Sequence, residues 1–234
     1  LYEALGPERA PAMFADGGRD ATHYNSYGAY LLAQGVVAEL RRLSLPLAAH
    51  IRQDAPAFDP AAQTAAAQAR QFGYNNDYVG FVPLAPADDG ASRGLLCVNH
   101  EYTSTPLMFP AVAAGYPDTM TAELCAVEMA AHGGSIVEIV LRDETWQVAI
   151  DSPYNRRLMA DQTPMQITGP AAGHPRLATG ADPDARVVQG TLNNCAGGIT
   201  PWGTYLLAEE NFHGYFLGAL PDGHPETANY ARYG

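Results

Sequence analysis

From Tyr74 onward the chain is a succession of short apolar runs cut by turn-forming clusters. Tyr78–Leu84 and Gly94–Val98 flank Asp88-Asp89-Gly90, and Ser135–Leu141 and Thr145–Ile150 flank Arg142-Asp143-Glu144. Runs of this length bounded by turns read as antiparallel strand pairs. Gly203–Ala208 and Tyr215–Leu220 continue the pattern as strand candidates. With 23 Gly and 18 Pro in 234 residues, and charged residues at only 16%, the sequence suits many short strands better than a helical bundle. The predicted class is mainly β with a few peripheral helices: a sandwich, barrel or propeller, among which composition does not choose. No clean internal repeat stands out.

The preceding region reads differently. Asp16–Tyr27 is polar and turn-like, and Ala29–Leu43 carries Leu31, Leu32, Val36, Leu40 and Leu43 near helical spacing, with Pro46 as the stop. Arg41-Arg42 before Leu-Ser-Leu-Pro-Leu reads as the end of that helix; the apolar run is too short and too internal for a twin-arginine export signal. A second helix is predicted over Pro56–Arg70, with Asp59 as N-cap, Pro60 in the first position and Gly73 as the end signal. A third is predicted over Thr121–Ala131. Residues 1–54 therefore form a helix-containing extension, and 55–234 the strand-rich part. No apolar run approaches the ~18 residues of a membrane span, so stable membrane insertion is not expected. The chain does not begin with Met and shows no obvious signal peptide.

Net charge is -12, from 25 acidic and 13 basic residues, and every basic residue is an arginine. No basic face offers itself to nucleic acid. An acidic surface also repels a phosphorylated ligand, so a site for one needs bound cations to reverse the local field. The cysteines are Cys97, Cys125 and Cys195, an odd number without a CxxC pair, which argues against a zinc ribbon. Cys97, in Gly94–Val98, and Cys125, on the third helix, are expected in the core. Cys195 stands out among polar residues and glycines.

Four polar clusters interrupt the apolar pattern: Gly73-Tyr74-Asn75-Asn76-Asp77, Asn99-His100-Glu101, Asn193-Asn194-Cys195-Ala196-Gly197-Gly198 and Glu209-Glu210-Asn211-Phe212-His213. Glu101 follows Leu95-Leu96-Cys97-Val98 closely, and Glu209 follows Tyr205-Leu206-Leu207-Ala208. A carboxylate at a buried strand end is costly unless paired or bound to metal. Carboxylate and amide oxygens suit hard cations such as Ca²⁺, whereas a thiolate suits a transition metal such as iron. Each cluster also has a plain reading, as an Asx-turn, a surface turn, a buried small residue or a solvated strand end.

Read in order, FGYNNDYVGFVPL (Phe72–Leu84), GLLCVNHEYT (Gly94–Thr103), EMAAHGGSIVEI (Glu128–Ile139), SPYNRRL (Ser152–Leu158), ITGPAAGHPRL (Ile167–Leu177) and GTLNNCAGGITPWGTYLLAEENFHGYF (Gly190–Phe216) resemble the PhoX-type alkaline phosphatase family. The resemblance covers about residues 55–234 and implies the N-terminal portion of a β-propeller, here incomplete with its first blades only. It implies export to the periplasm or beyond, a role in phosphate acquisition, and release of phosphate from small phosphomonoesters by a monomer when complete. It also implies a cofactor cluster of Fe3+ and Ca2+ with an oxo bridge, the attacking oxygen being held by the metals and no side chain phosphorylated. By position in the motifs, Cys195 is the expected iron ligand and Glu209 and Glu101 are expected metal ligands, followed by Asn194, Glu210, Asn99 and Asp77. His132, His174 and Trp202 lie in matching motifs without an assigned role. Family members are longer, so the chain reads as a fragment whose substrate-binding residues lie beyond residue 234. Competing readings are a calcium-binding propeller without catalysis, a related propeller hydrolase such as a lactonase or phosphodiesterase, and an inactive truncated relative.

Overall fold

In the computed structural model the described residues are 6–8, 10–14, 24–51, 63–109, 112, 115–216 and 220–233. They fall into two compact units, Leu1–Gln71 with Thr103–Ala130, and Phe72–Tyr102 with Ala131–Gly234.

The first unit is mainly helical where described, with one isolated antiparallel bridge between Phe14 and Tyr24. Its main helix runs Ser26–Arg42. Asn25 caps it: Oδ1 accepts from Gly28 N at 2.9 Å, while Nδ2 donates to the carbonyls of Ala12 and Phe14. Arg41 and Arg42 close the last turn, favourably placed against the helix dipole. Of the second predicted helix, Asp59 and Pro60 lie outside the described residues, and the described part is the single turn Ala65–Gln68, capped by Thr64 Oγ1. The third spans Ala122–Ala131. Val127, Ala130 and Ala131 are buried, but Cys125 is exposed, against the expectation of a core position. The helical period carries residue 125 onto the face opposite Val127 and Ala131. Among the described residues no helix is long and apolar enough to cross a membrane.

The second unit is built on antiparallel sheets. Strands β1 (Asn76–Leu84), β2 (Arg93–His100), β3 (Gly133–Arg142) and β4 (Thr145–Val148) lie side by side in chain order, and β5 (Arg156–Leu158) also pairs with β3. The β3–β4 turn is Asp143-Glu144, both at positive φ, the two-residue geometry that matches strand twist. The run predicted to Ile150 stops pairing at Val148, and Asn155 Nδ2 takes the carbonyls of Ala149 and Ile150 at 2.7 and 3.0 Å. Two smaller sheets follow: β6 (Pro164–Gln166) with β7 (Val187–Gln189), and β8 (Asn194–Ile199) with β9 (Tyr205–Glu209). Of the strand predicted over Tyr215–Leu220, Tyr215 closes a 3-10 helix, Phe212–Tyr215, and residues 217–219 lie outside the described residues. Cys97, Val98, Ile136 and Val140 lie in the interior of the first sheet.

Candidate metal centre

Two strands slip register, and each slip carries a candidate ligand. Asn76 faces His100 and Val79 faces Val98, so Asp77 and Tyr78 together oppose Asn99 alone. On β8, Asn194 faces Glu209 and Gly197 faces Leu207, so Cys195 and Ala196 together oppose Ala208. These are β-bulges, which bend a strand and re-aim its side chains. Gly197 permits the approach of β8 to β1: a Cβ there would stand 2.4 Å from the Tyr78 ring.

The outcome is convergence. Ligand atoms of Asp77, Glu101 and Cys195 all lie within 4.8 Å of one another. The carboxylate of Glu210 lies close enough to act on the Cys195 thiol but stands outside this group of three. Hydrogen bonding with the carboxylates of Asp77 and Glu210, then burial and the charges of the same carboxylates, pushes the thiol up to about 12. The Glu101 carboxyl is raised by burial, then by the charges of Asp77 and Glu210. The main chain fixes each segment. Glu101 N donates to Asn75 O at 3.1 Å, and Glu210 N to Asn193 O at 2.8 Å.

The remaining expected ligands are occupied within the protein. Asn99, fully buried, donates from Nδ2 to the carbonyls of Cys195 and Ala196 and accepts at Oδ1 from the Tyr205 hydroxyl. Asn194 is also buried; Nδ2 donates to Gly133 O at 2.9 Å, and Oδ1 lies 2.7 Å from the Thr191 hydroxyl. Glu209 Oε1 accepts from Leu192 N at 2.9 Å and lies 2.9 Å from the same hydroxyl. It is not among the three converging residues, for successive side chains on a strand point oppositely and Glu210 takes the side facing Cys195.

Of the histidines and the tryptophan in the motifs, His174 accepts from Arg176 N in an exposed turn, and Trp202 is 79% exposed. His100 is buried between Asn76 Oδ1 and Ser135 Oγ, 2.7 Å from each. Burial, then the nearby Arg157 and His132, lower it to about 3, so it is neutral. Asn193, in the third polar cluster but not among the expected ligands, braces the site. Its φ of +54° and its place beside Asn194 make it a tight corner, and its Nδ2 donates to the Glu210 carbonyl.

An antiparallel β unit with carboxylates and a thiol gathered at two bulges defines a protein with a candidate metal centre. Residues 45–234 match the family described as alkaline phosphatase PhoX, and the chain belongs to that family. It is similar to the structure of Pseudomonas fluorescens PhoX in complex with vanadate, a transition state analogue, at 39% identity and a TM-score of 0.64. The match covers 76% of this chain and 30% of that one, so the chain spans about three-tenths of that relative's length. No curated protein matches.

Proposed function

We propose that this chain is the metal-holding part of an alkaline phosphatase that releases inorganic phosphate from small phosphomonoesters. The observation that carries the reading is the convergence of Asp77, Glu101 and Cys195. The donor chemistry fits the cations implied by the family resemblance. Hard carboxylate oxygens suit Ca²⁺ and Fe³⁺, and a thiolate among them favours iron. Several acidic groups this close repel one another as anions, and multivalent cations offset that repulsion.

When bound, these ions supply the positive charge that holds phosphoryl oxygens and activates an oxygen nucleophile. The chain contributes the rest. Cys195 as thiolate, with Asp77, Glu101 and Glu210 as anionic ligands, would hold the ions, and no acid/base role would fall to these side chains. Asn99 and Asn193 hold the segments that bear them. The sheet β1–β4, four antiparallel strands in sequence, is the form of a propeller blade, and we assign residues 55–234 to the first part of a β-propeller. Export to the periplasm belongs to the same proposal and rests on family membership.

The test is hydrolysis of p-nitrophenyl phosphate by the purified full-length protein, before and after chelation, with iron and calcium measured by elemental analysis. The proposal predicts turnover that falls with metal removal and returns on reloading. Turnover that survives loss of both metals contradicts it.

A further inference from the structure

His132 is 2% exposed and immediately precedes β3, in a motif segment that the metal centre does not absorb. Its Nδ1 is 2.6 Å from the carbonyl oxygen of Glu101. A carbonyl only accepts, so Nδ1 carries the proton and donates it there. The Asn193 N–H also faces this nitrogen, at 3.4 Å, but a protonated Nδ1 cannot accept from it, so the Glu101 carbonyl is its bonded partner; the Asn193 side chain donates to the Glu210 carbonyl. The Tyr215 ring meets the imidazole edge-on at 4.8 Å, and Arg157 Nη2 donates to the His132 carbonyl at 3.2 Å. His132 is therefore held on several sides and touches the main chain of two ligand-bearing segments, the end of β2 and the entry to β8. Its neighbour Asn193 reaches the third, beyond β9.

We infer that His132 is a positioning residue of the metal centre: its Nδ1–H bond to the Glu101 carbonyl sets where the Glu101 carboxylate stands relative to Cys195 and Glu210. This rests on the metal reading proposed above. Glu101 is otherwise tied through its own N–H to Asn75, which leaves the carbonyl side of the peptide to His132. Loss of that bond frees the peptide to rotate and spreads the donors without removing any of them.

The test reads Co²⁺ alone as the probe, through the thiolate-to-cobalt charge-transfer absorption, in wild type and in H132N, H132Q, H132L and C195S. Asn places an amide donor near the Nδ1 position, Gln places it further out, and Leu removes it. The inference predicts cobalt affinity within about threefold of wild type for H132N, and weaker by about tenfold or more for H132Q and H132L, in proteins whose circular dichroism is unchanged. If H132L does not fold, the H132N against H132Q comparison decides alone. Equal cobalt affinity in H132N and H132Q, or an H132L that melts lower yet binds cobalt as wild type does, overturns the inference and leaves the metal reading standing. A wild-type protein without the band, or a C195S protein that keeps it, overturns the metal reading and this inference with it.

Discussion

The side-chain amide of Asn99, on β2, donates to the carbonyl of Cys195 across 2.8 Å, and this bond ties the partner strand of bulged β1 to bulged β8. Asn99 is the single residue that faces the β1 bulge at Asp77 and Tyr78, and its Nδ2 also reaches the Ala196 carbonyl in the β8 bulge at 3.0 Å. One buried carboxamide thus registers Asp77 against Cys195. Asn99→Ala leaves the carbonyls of Cys195 and Ala196 and the Tyr205 hydroxyl, all partly buried at these bonds, without this partner. We expect a loss of about 2–4 kcal/mol. Urea unfolding checks it: the midpoint falls while the slope is kept.

Gly197→Ala tests the approach of β8 to β1 separately. The added methyl would sit 2.4 Å from Tyr78 Cδ1, so the ring or the strand has to move. The expected cost is about 1–3 kcal/mol. Gly197→Ala combined with Tyr78→Ala, which removes the ring, should recover part of it beyond the additive sum, measured as a double-mutant cycle in urea.

Acid should weaken the first sheet through Glu138. Its carboxylate accepts from Ser152 Oγ at 2.5 Å and pairs with Arg93 at 2.9 Å. Those partners, the serine first, hold it below the 4.5 of a free glutamate. A carboxyl depressed in the fold contributes stability that is present above its unfolded value and is lost as pH falls through the folded one. Unfolding free energy should therefore drop as pH falls below about 4.5, and Glu138→Gln should flatten part of that slope. A series of urea midpoints from about pH 6 to 3 measures both.

Thiol labelling separates Cys125 from Cys97. Cys125 is exposed, whereas Cys97 is 2% exposed with its thiol raised by burial. In native protein a disulfide reagent should modify Cys125 in the fast phase and reach Cys97 only on unfolding. Cys125→Ser should remove the fast phase.

These tests fall on features of unequal legibility in the sequence. The hairpin of Tyr78–Leu84 with Gly94–Val98 was readable because apolar runs and a turn cluster are local signals, and Arg142-Asp143-Glu144 marked the next turn for the same reason. Strands β5, β6 and β7 were not readable. Each is three residues long, held by pairing rather than by its own pattern. β8 contains Asn, Cys and two glycines, so it looked like a loop interrupting a strand, when it is the strand. The site was readable as residue types but not as geometry. Which of Glu209 and Glu210 faces Cys195 depends on strand parity, and a bulge at Cys195-Ala196 resets that parity without a signature in the side chains. Asn99 and Asn194 looked like oxygen donors because their amides serve equally well as ligands and as buried braces.

Cys195 sharing a cation with the carboxylates beside it is the central claim. Iron content per chain, measured by elemental analysis on full-length wild type and Cys195→Ser purified alike, tests this most directly. Bound iron in wild type and its loss in the serine variant is the predicted result. Equal iron in the two proteins, or none in wild type after reloading with ferric and calcium ions, would contradict it.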